Sequence, residues 1–123
     1  MRVLLVEDDD DSRQLMAEVL EVAGYAVHQV ANGQDALRAL SSSRFHVLVT
    51  DLGMSGMGGL EIARAAKATD PALPVIVVTG WAERDDVEQA RGRVVDSVLL
   101  KPVEPDSLMQ AVAGSLAGRD PSM

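Results

Sequence analysis

Residues that can carry chemistry follow four of the five apolar segments in this chain. Glu7 and Asp8 come directly after the first segment, Asp51 after the third, Thr79 after the fourth and Lys101 after the fifth. Carboxylates brought within about 4 Å repel by about 4 kcal/mol at an effective dielectric of about 20, so such a group must protonate, separate or bind a cation. A ligand set made only of oxygen favours Mg²⁺, Mn²⁺ or Ca²⁺ over Zn²⁺.

Several of these acids also have an ordinary structural explanation. The aspartates at 9–11 are expected to cap the next helix, because anions stabilise a helix N-terminus. Asp51 taken alone fits a turn residue as well as a functional one, and Thr79 alone fits a residue chosen for β propensity. Glu7 and Asp8 lie at the end of the strand itself, and for these two we favour metal binding.

A functional role for Lys101 is favoured over that of a solvated lysine at the end of a strand. The chain has nine arginines and two lysines, and one of the two lysines lies at this edge, next to Pro102. A compact ammonium group on a flexible stem suits a phosphoryl oxygen or a carboxylate. The set indicates phosphoryl transfer to a carboxylate, with Asp51 as the nucleophile, a cation on the neighbouring carboxylates, and Lys101 and Thr79 on the remaining oxygens.

Five short valine-rich segments alternate with five stretches of helical periodicity, and these elements must position the polar residues. Strand–helix alternation predicts right-handed crossovers and a parallel sheet with helices on both faces. Five strands favour an α/β, flavodoxin-like, doubly wound sheet of order 2-1-3-4-5, in which strands 1 and 3 are neighbours. The strands are predicted at 3–6, 26–30, 46–50, 74–78 and 98–100, and the helical stripes at 15–23, 36–40, 60–67, 82–91 and 108–116.

Composition bounds the function classes. The 123 residues suit one domain, which we place at 1–117, followed by a short tail at 118–123. With 19 acidic against 11 basic residues and a net charge of −8, direct nucleic-acid binding is not expected. The absence of cysteine excludes disulfides and thiolate chemistry. No apolar run reaches the roughly 20 residues of a membrane span, and no signal peptide is evident, so a cytoplasmic protein is expected.

Five short motifs resemble the receiver domain of bacterial two-component response regulators, the CheY-like family. They are Val-Glu-Asp at 6–8, Val-Thr-Asp-Leu-Gly-Met at 49–54, Gly-Leu-Glu at 59–61, Val-Thr-Gly at 78–80 and Leu-Lys-Pro at 100–102. Each motif is short, but their order and spacing extend over residues 2–117.

The resemblance implies a role for each matching position. It implies that Asp51 is the phospho-acceptor and that Mg²⁺, or Mn²⁺, is bound by Asp51 and by an acidic pair. It also implies a contact with the phosphoryl group by a lysine and by a switch hydroxyl. By position, the resemblance assigns Glu7 and Asp8 as the acidic pair, the Gly53 carbonyl as a further ligand, Thr79 as the switch hydroxyl, Lys101 as the phosphate-contacting lysine, and a cis bond before Pro102.

The resemblance also implies partners. The phosphoryl donor would be a histidine kinase or a histidine phosphotransfer protein, and the phosphorylated form would switch binding to a protein effector or output domain. The chain would act on its own Asp51 only, rather than as an enzyme with an external substrate. Partners of this family usually bind to the face formed by residues 82–117. A homodimer through the mixed charges of this face is possible, but a solvated helix face is favoured.

Two positions depart from the family pattern. Ser55 stands where the family commonly has proline, in a glycine-rich loop. Val98 stands where the family usually has an aromatic switch residue, and valine gains less buried area when it moves.

Two other function classes were weighed against the receiver. The departures at Ser55 and Val98 favour a protein-interaction module that works without phosphorylation. An aspartyl-nucleophile phosphatase of the haloacid dehalogenase type shares the same chemistry, but its nucleophile follows strand 1 and a cap segment covers its substrate. Here the acceptor candidate Asp51 follows strand 3, and the sequence has no segment for a cap.

Overall fold

Strands and helices alternate along the chain. The computed structural model describes residues 1–54, 57–80 and 94–119. Within these ranges no helix is long and apolar enough to cross a membrane. The helix predicted at 82–91 lies outside the described residues. The elements, in chain order, are β1 (Arg2–Val6), α1 (Asp10–Val22), β2 (Ala26–Val30), α2 (Gly33–Ser42), β3 (Val47–Asp51), α3 (Gly59–Thr69), β4 (Val75–Thr79), β5 (Ser97–Leu100) and α4 (Pro105–Arg119).

The five strands form one sheet in the order β2-β1-β3-β4-β5. Every neighbouring pair is parallel. The order confirms the predicted flavodoxin-like, doubly wound topology. Because β1 lies between β2 and β3, the carboxyl ends of β1 and β3 lie next to each other, and β4 follows on the other side of β3.

The core lies on both faces of the sheet. β3 and β4 are buried along their whole length, as their continuous apolar sequences predict. Along β1, Leu4 and Val6 pack with α2 and α3, whereas Val3 and Leu5 pack with α1 and α4. The faces of the sheet are thus covered by helices, and the polar residues that follow the strands collect at its carboxyl edge.

A polar side chain fixes where the first helix begins. The Asp9 carboxylate accepts a hydrogen bond from the Ser12 N–H at 2.8 Å and caps α1, with Asp10 and Asp11 in the first turn. This arrangement confirms the capping role expected for residues 9–11. The α1 helix ends at Val22, and the chain leaves it through Gly24, whose φ of 101° is a conformation that glycine adopts without strain. Because Asp9 forms the N-cap, α1 begins directly after Glu7 and Asp8.

Among the element boundaries that differ from those predicted, three concern the polar edge of the sheet and the C-terminal tail. Asp51 and Thr79 are the last residues of β3 and β4 instead of following them, because each still pairs with a neighbouring strand, opposite Val78 and Leu100. The last helix continues to Arg119, two residues into the stretch predicted as a tail. One glycine lowers helix propensity by only about 1 kcal/mol, so Gly118 does not end the helix.

Gly59, the first residue of α3, lies against the backbone at the end of β3. A Cβ atom there would lie 2.8 Å from the Leu52 Cα and would collide with the Asp51 carbonyl oxygen. The Gly59 N–H also donates a hydrogen bond to the Leu52 carbonyl at 3.1 Å. Only glycine allows α3 to begin this close to Asp51.

We expect Gly59→Ala to lower the free energy of unfolding by about 1–3 kcal/mol, the usual range for overpacking a closed site. The matched control is Gly114→Ala in α4, where a Cβ atom would have nothing within 4 Å. That change should raise the free energy of unfolding by about 0.5–1 kcal/mol, because alanine forms helix better than glycine. Urea unfolding of both variants measures the difference, and equal effects at the two positions would contradict the close-contact argument.

Candidate functional site

Asp51 is held at the carboxyl edge of the sheet, between β1 and β4. Its side chain emerges from a strand that is buried along its whole length, and the residue is only 4% exposed. The peptide that follows it is fixed from β4, since the Leu52 N–H donates to the Val78 carbonyl at 2.9 Å. The Thr50 hydroxyl donates to the Asp51 carbonyl at 3.0 Å. The backbone around Asp51 is therefore tightly constrained.

Glu7 and Asp8 reach the same point from β1. Glu7 is 1% exposed, and its Oε1 accepts a hydrogen bond from the Asp9 N–H at 3.2 Å. Asp8 is exposed. One carboxylate oxygen from each of Glu7, Asp8 and Asp51 can be chosen so that all three lie within 4.8 Å of one another. The predicted convergence of the ends of strands 1 and 3 is thus present in the structure.

Lys101 is the cation of the cluster. Its Nζ lies 3.1 Å from Asp51 Oδ1 and 3.7 Å from Glu7 Oε2. Burial acts to lower the pKa of the Lys101 ammonium, but the hydrogen bond to Asp51 and the charge of Glu7 outweigh it and raise that pKa above its usual value. The Lys101 N–H donates to the Thr79 carbonyl at 2.9 Å, and the Lys101–Pro102 peptide bond is cis.

The cluster holds more negative charge than its lysine neutralises. Burial, and next the charge of Asp51, raise the pKa of the Glu7 carboxyl above its ordinary value. Glu7 Oε2 is the one buried side-chain oxygen or nitrogen in the described ranges that makes no hydrogen bond. A cluster of three carboxylates, one of which has a buried oxygen without a hydrogen bond, fits a hard divalent cation such as Mg²⁺.

The other predicted positions lie near this cluster. Thr79 is fully buried on β4, and its hydroxyl donates to the Gly80 carbonyl at 3.0 Å. Gly53 is exposed, two residues after the acceptor. Val98 on β5 is half-buried and packs against the core on the α2 and α3 side of the sheet. Ser55 and residues 82–93 of the predicted partner face lie outside the described residues.

Sequence reasoning missed Arg13. Its guanidinium donates to the Glu7 carbonyl at 3.0 Å and to Asp10 Oδ1 at 2.7 Å, and its side chain is 14% exposed. The i, i+3 spacing in α1 signals the pair with Asp10. The bond to the Glu7 carbonyl carries no such signal, because it depends on how tightly the chain turns from β1 into α1.

Comparison with known proteins identifies the family. Residues 3–113 match the family model for the response regulator receiver domain. The chain therefore belongs to the receiver domains of response regulators, which confirms the resemblance seen in the sequence and places the protein in two-component signalling.

Individual relatives support this assignment. The chain is 37% identical over 109 residues to the C4-dicarboxylate transport transcriptional regulatory protein DctD of Rhizobium meliloti, covering 89% of this chain and 24% of that protein. It is 31% identical to sporulation initiation phosphotransferase F of Bacillus subtilis, covering 90% of each. The solved structure of response regulator TrrA of Thermotoga maritima with Mg²⁺-BeF is 28% identical, with a TM-score of 0.84 and coverage of 94% and 98%. The chain spans about a quarter of DctD but nearly all of the other two.

We expect Glu7→Gln to stabilise the metal-free protein by about 1 kcal/mol at pH 7.5, because it removes one charge from a group of repelling carboxylates. The wild type should gain stability when millimolar Mg²⁺ is added, whereas the variant should gain little. Asp11→Asn removes an exposed acid of α1 outside the cluster and should respond to Mg²⁺ like the wild type. Urea unfolding with and without Mg²⁺ measures this, and a variant that is less stable than the wild type without metal would contradict the argument.

We expect Lys101→Met to tighten Mg²⁺ binding by about tenfold, because the ammonium at 3.1 Å from Asp51 competes with a cation for the same oxygens. The matched control is Lys67→Met, the only other lysine, whose Nζ pairs with Asp96 at 2.8 Å. That change should leave Mg²⁺ affinity unaltered. Titration calorimetry gives both dissociation constants, and weaker binding by Lys101→Met would show that the lysine does not compete with the cation.

Proposed function

We propose that the chain accepts a phosphoryl group on Asp51 from the phosphohistidine of a histidine kinase or a phosphotransfer protein. An Asp51 carboxylate oxygen attacks the phosphorus atom. A P–O bond forms, the P–N bond to the donor imidazole breaks, and the imidazole leaves as the neutral base after taking up a proton. The product is an acyl phosphate on Asp51, and its hydrolysis by water returns the free carboxylate and inorganic phosphate.

The observation that carries this proposal is the contact between Asp51 and Lys101 in a cluster with two further acids. A nucleophilic carboxylate at the end of a buried strand is rigidly positioned, which favours in-line attack. The ammonium at 3.1 Å supplies positive charge where phosphoryl oxygens would lie. A protein with only a structural use for this edge would have no need of a buried, unsatisfied Glu7.

The residues present fit a divalent cation, for which Mg²⁺ or Mn²⁺ is proposed. Glu7, Asp8 and Asp51 would hold it, with the Gly53 carbonyl as a further ligand. A bound divalent cation offsets the negative charge of the entering phosphoryl group. The Mg²⁺-BeF group in the TrrA structure supports the same assignment, because it belongs to a relative that shares the fold over nearly its whole length.

We further propose that Thr79 and Val98 carry the signal away from the site. The Thr79 hydroxyl now donates to Gly80, and a phosphoryl oxygen on Asp51 offers a charged acceptor that would draw it across. Val98 pairs with Val77, which lies in β4 two residues before Thr79. A small movement of β4 would therefore reach β5 and the partner face through direct strand contact.

The test is incubation with acetyl phosphate and Mg²⁺, followed at once by measurement of the intact mass. We expect one phosphoryl group per chain in the wild type, none in Asp51→Asn, and none in wild type treated with a chelator. Asp35→Asn, at a half-exposed α2 acid outside the cluster, should label like the wild type.

Three outcomes separate the alternatives. Equal labelling of wild type and Asp51→Asn would place the acceptor elsewhere. No labelling of any variant, with Mg²⁺ present, would favour the interaction module that works without phosphorylation. Rapid multiple turnover of a simple phosphate ester would instead favour an aspartyl-nucleophile phosphatase.

A further inference from the structure

Arg13 joins the first helix to the peptide that carries both acids of β1. Its Nη1 donates to the Glu7 carbonyl at 3.0 Å. That carbonyl belongs to the peptide group between Glu7 and Asp8, so its direction fixes how the two residues are oriented to each other. The N–H of Glu7 is held from the other side by the Val30 carbonyl of β2 at 3.2 Å. The backbone of Glu7 is thus anchored at both ends, once by β2 and once by Arg13.

The pair with Asp10 does not explain why Arg13 is buried. Asp10 is 75% exposed, and an exposed ion pair contributes only about 0–1 kcal/mol. The equivalent i, i+3 pair on α2, Asp35 with Arg38, shows that the arginine of such a pair does not need to be buried. Its atoms lie 3.4 Å apart, and the Arg38 side chain is 80% exposed. Arg13 is 14% exposed, and the contact that distinguishes it from Arg38 is the bond to the Glu7 carbonyl.

Glu7 and Asp8 need such an anchor because their surroundings push them apart. Three carboxylates share one ammonium group, and the repulsion between them favours any backbone rotation that separates Asp8 from Asp51. Asp8 itself is exposed, so packing does little to hold it. A hydrogen bond from a charged donor to the shared peptide resists this rotation. In metal sites, groups that orient the ligands influence affinity strongly, typically by 10–100-fold.

We propose that Arg13 is a positioning residue for the cation site, which keeps the Asp8 carboxylate turned toward Glu7 and Asp51. This inference rests on the proposed function, because it concerns the affinity of that same site for Mg²⁺.

Whether removal of Arg13 weakens or tightens Mg²⁺ binding distinguishes a positioning role from an effect of its charge. Arg13 is a cation close to the acidic cluster, so its removal would tighten Mg²⁺ binding if charge were its only influence, as expected for Lys101→Met. If Arg13 orients the ligands, its removal weakens Mg²⁺ binding despite the more negative surroundings. If it only stabilises the fold, Mg²⁺ affinity of the folded protein stays the same.

The experiment titrates the whole chain with MgCl₂ by calorimetry at fixed ionic strength, with urea unfolding in metal-free buffer to verify folding. Arg13→Met fills similar space without a donor and should raise the dissociation constant at least about tenfold. Arg13→Lys keeps the charge but not the two-pronged donor, so it should lie between Arg13→Met and the wild type. The matched control is Arg38→Met, which should bind like the wild type.

Each result of this experiment bears directly on the positioning role of Arg13. If the wild type binds Mg²⁺ and Arg13→Met binds equally or more tightly, the positioning role is overturned while the proposed function stands. If the wild type shows no Mg²⁺ binding, the proposed function fails and this inference fails with it. If Arg13→Met does not fold, Arg13→Lys replaces it, and a dissociation constant equal to that of the wild type overturns the proposal.

Discussion

Repulsion between carboxylates that the fold forces together is the constraint on which this structure depends. Parallel pairing of β1 with β3 brings Glu7 and Asp51 to one edge, and the helices on both faces keep water from separating them. Lys101 neutralises part of the charge, at 3.1 Å from Asp51. The rest is left unbalanced, with one Glu7 oxygen buried and lacking a hydrogen bond. Added positive charge would therefore stabilise this site.

The backbone around Asp51 is held by close contacts with its neighbours. The start of α3 lies directly against Asp51 and Leu52, which is possible because residue 59 is glycine. In the same loop, the Met57 side chain lies over the first residue of α2, where a Cβ on Gly33 would come within 2.6 Å of the Met57 Cβ. Two glycines therefore let the loop after β3 pack tightly, once against the acceptor strand and once against α2. Asp51 thus lies against the start of α3, and Met57 links the same loop to α2.

The sequence predicts the sheet and the cluster well, because both follow from strong local patterns. Continuous valine-rich segments predict strands buried on both faces, and strand order then brings Glu7, Asp8 and Asp51 together without further information. The pattern could not predict that Asp51 still belongs to β3, since that depends on pairing with Val78. It also could not predict the bond from Arg13 to the Glu7 carbonyl. A backbone acceptor has no side-chain identity, so no spacing rule finds it.

A comparison of the two ends of the sheet shows that the unsatisfied charge is specific to the site. Asp96 precedes β5 at the opposite edge, and one of its carboxylate oxygens accepts from the Lys67 ammonium and from the Val75 N–H, each at 2.8 Å. That aspartate ties α3, β4 and the start of β5 together, as a structural carboxylate should. Glu7 is far more buried than Asp96, yet Oε1 has a single N–H donor and Oε2 has none. The fold can satisfy a carboxylate at a strand end when it needs only stability. Where it leaves one unsatisfied, burial costs stability that the proposed cation would return, and the acidic edge is better explained by function than by folding.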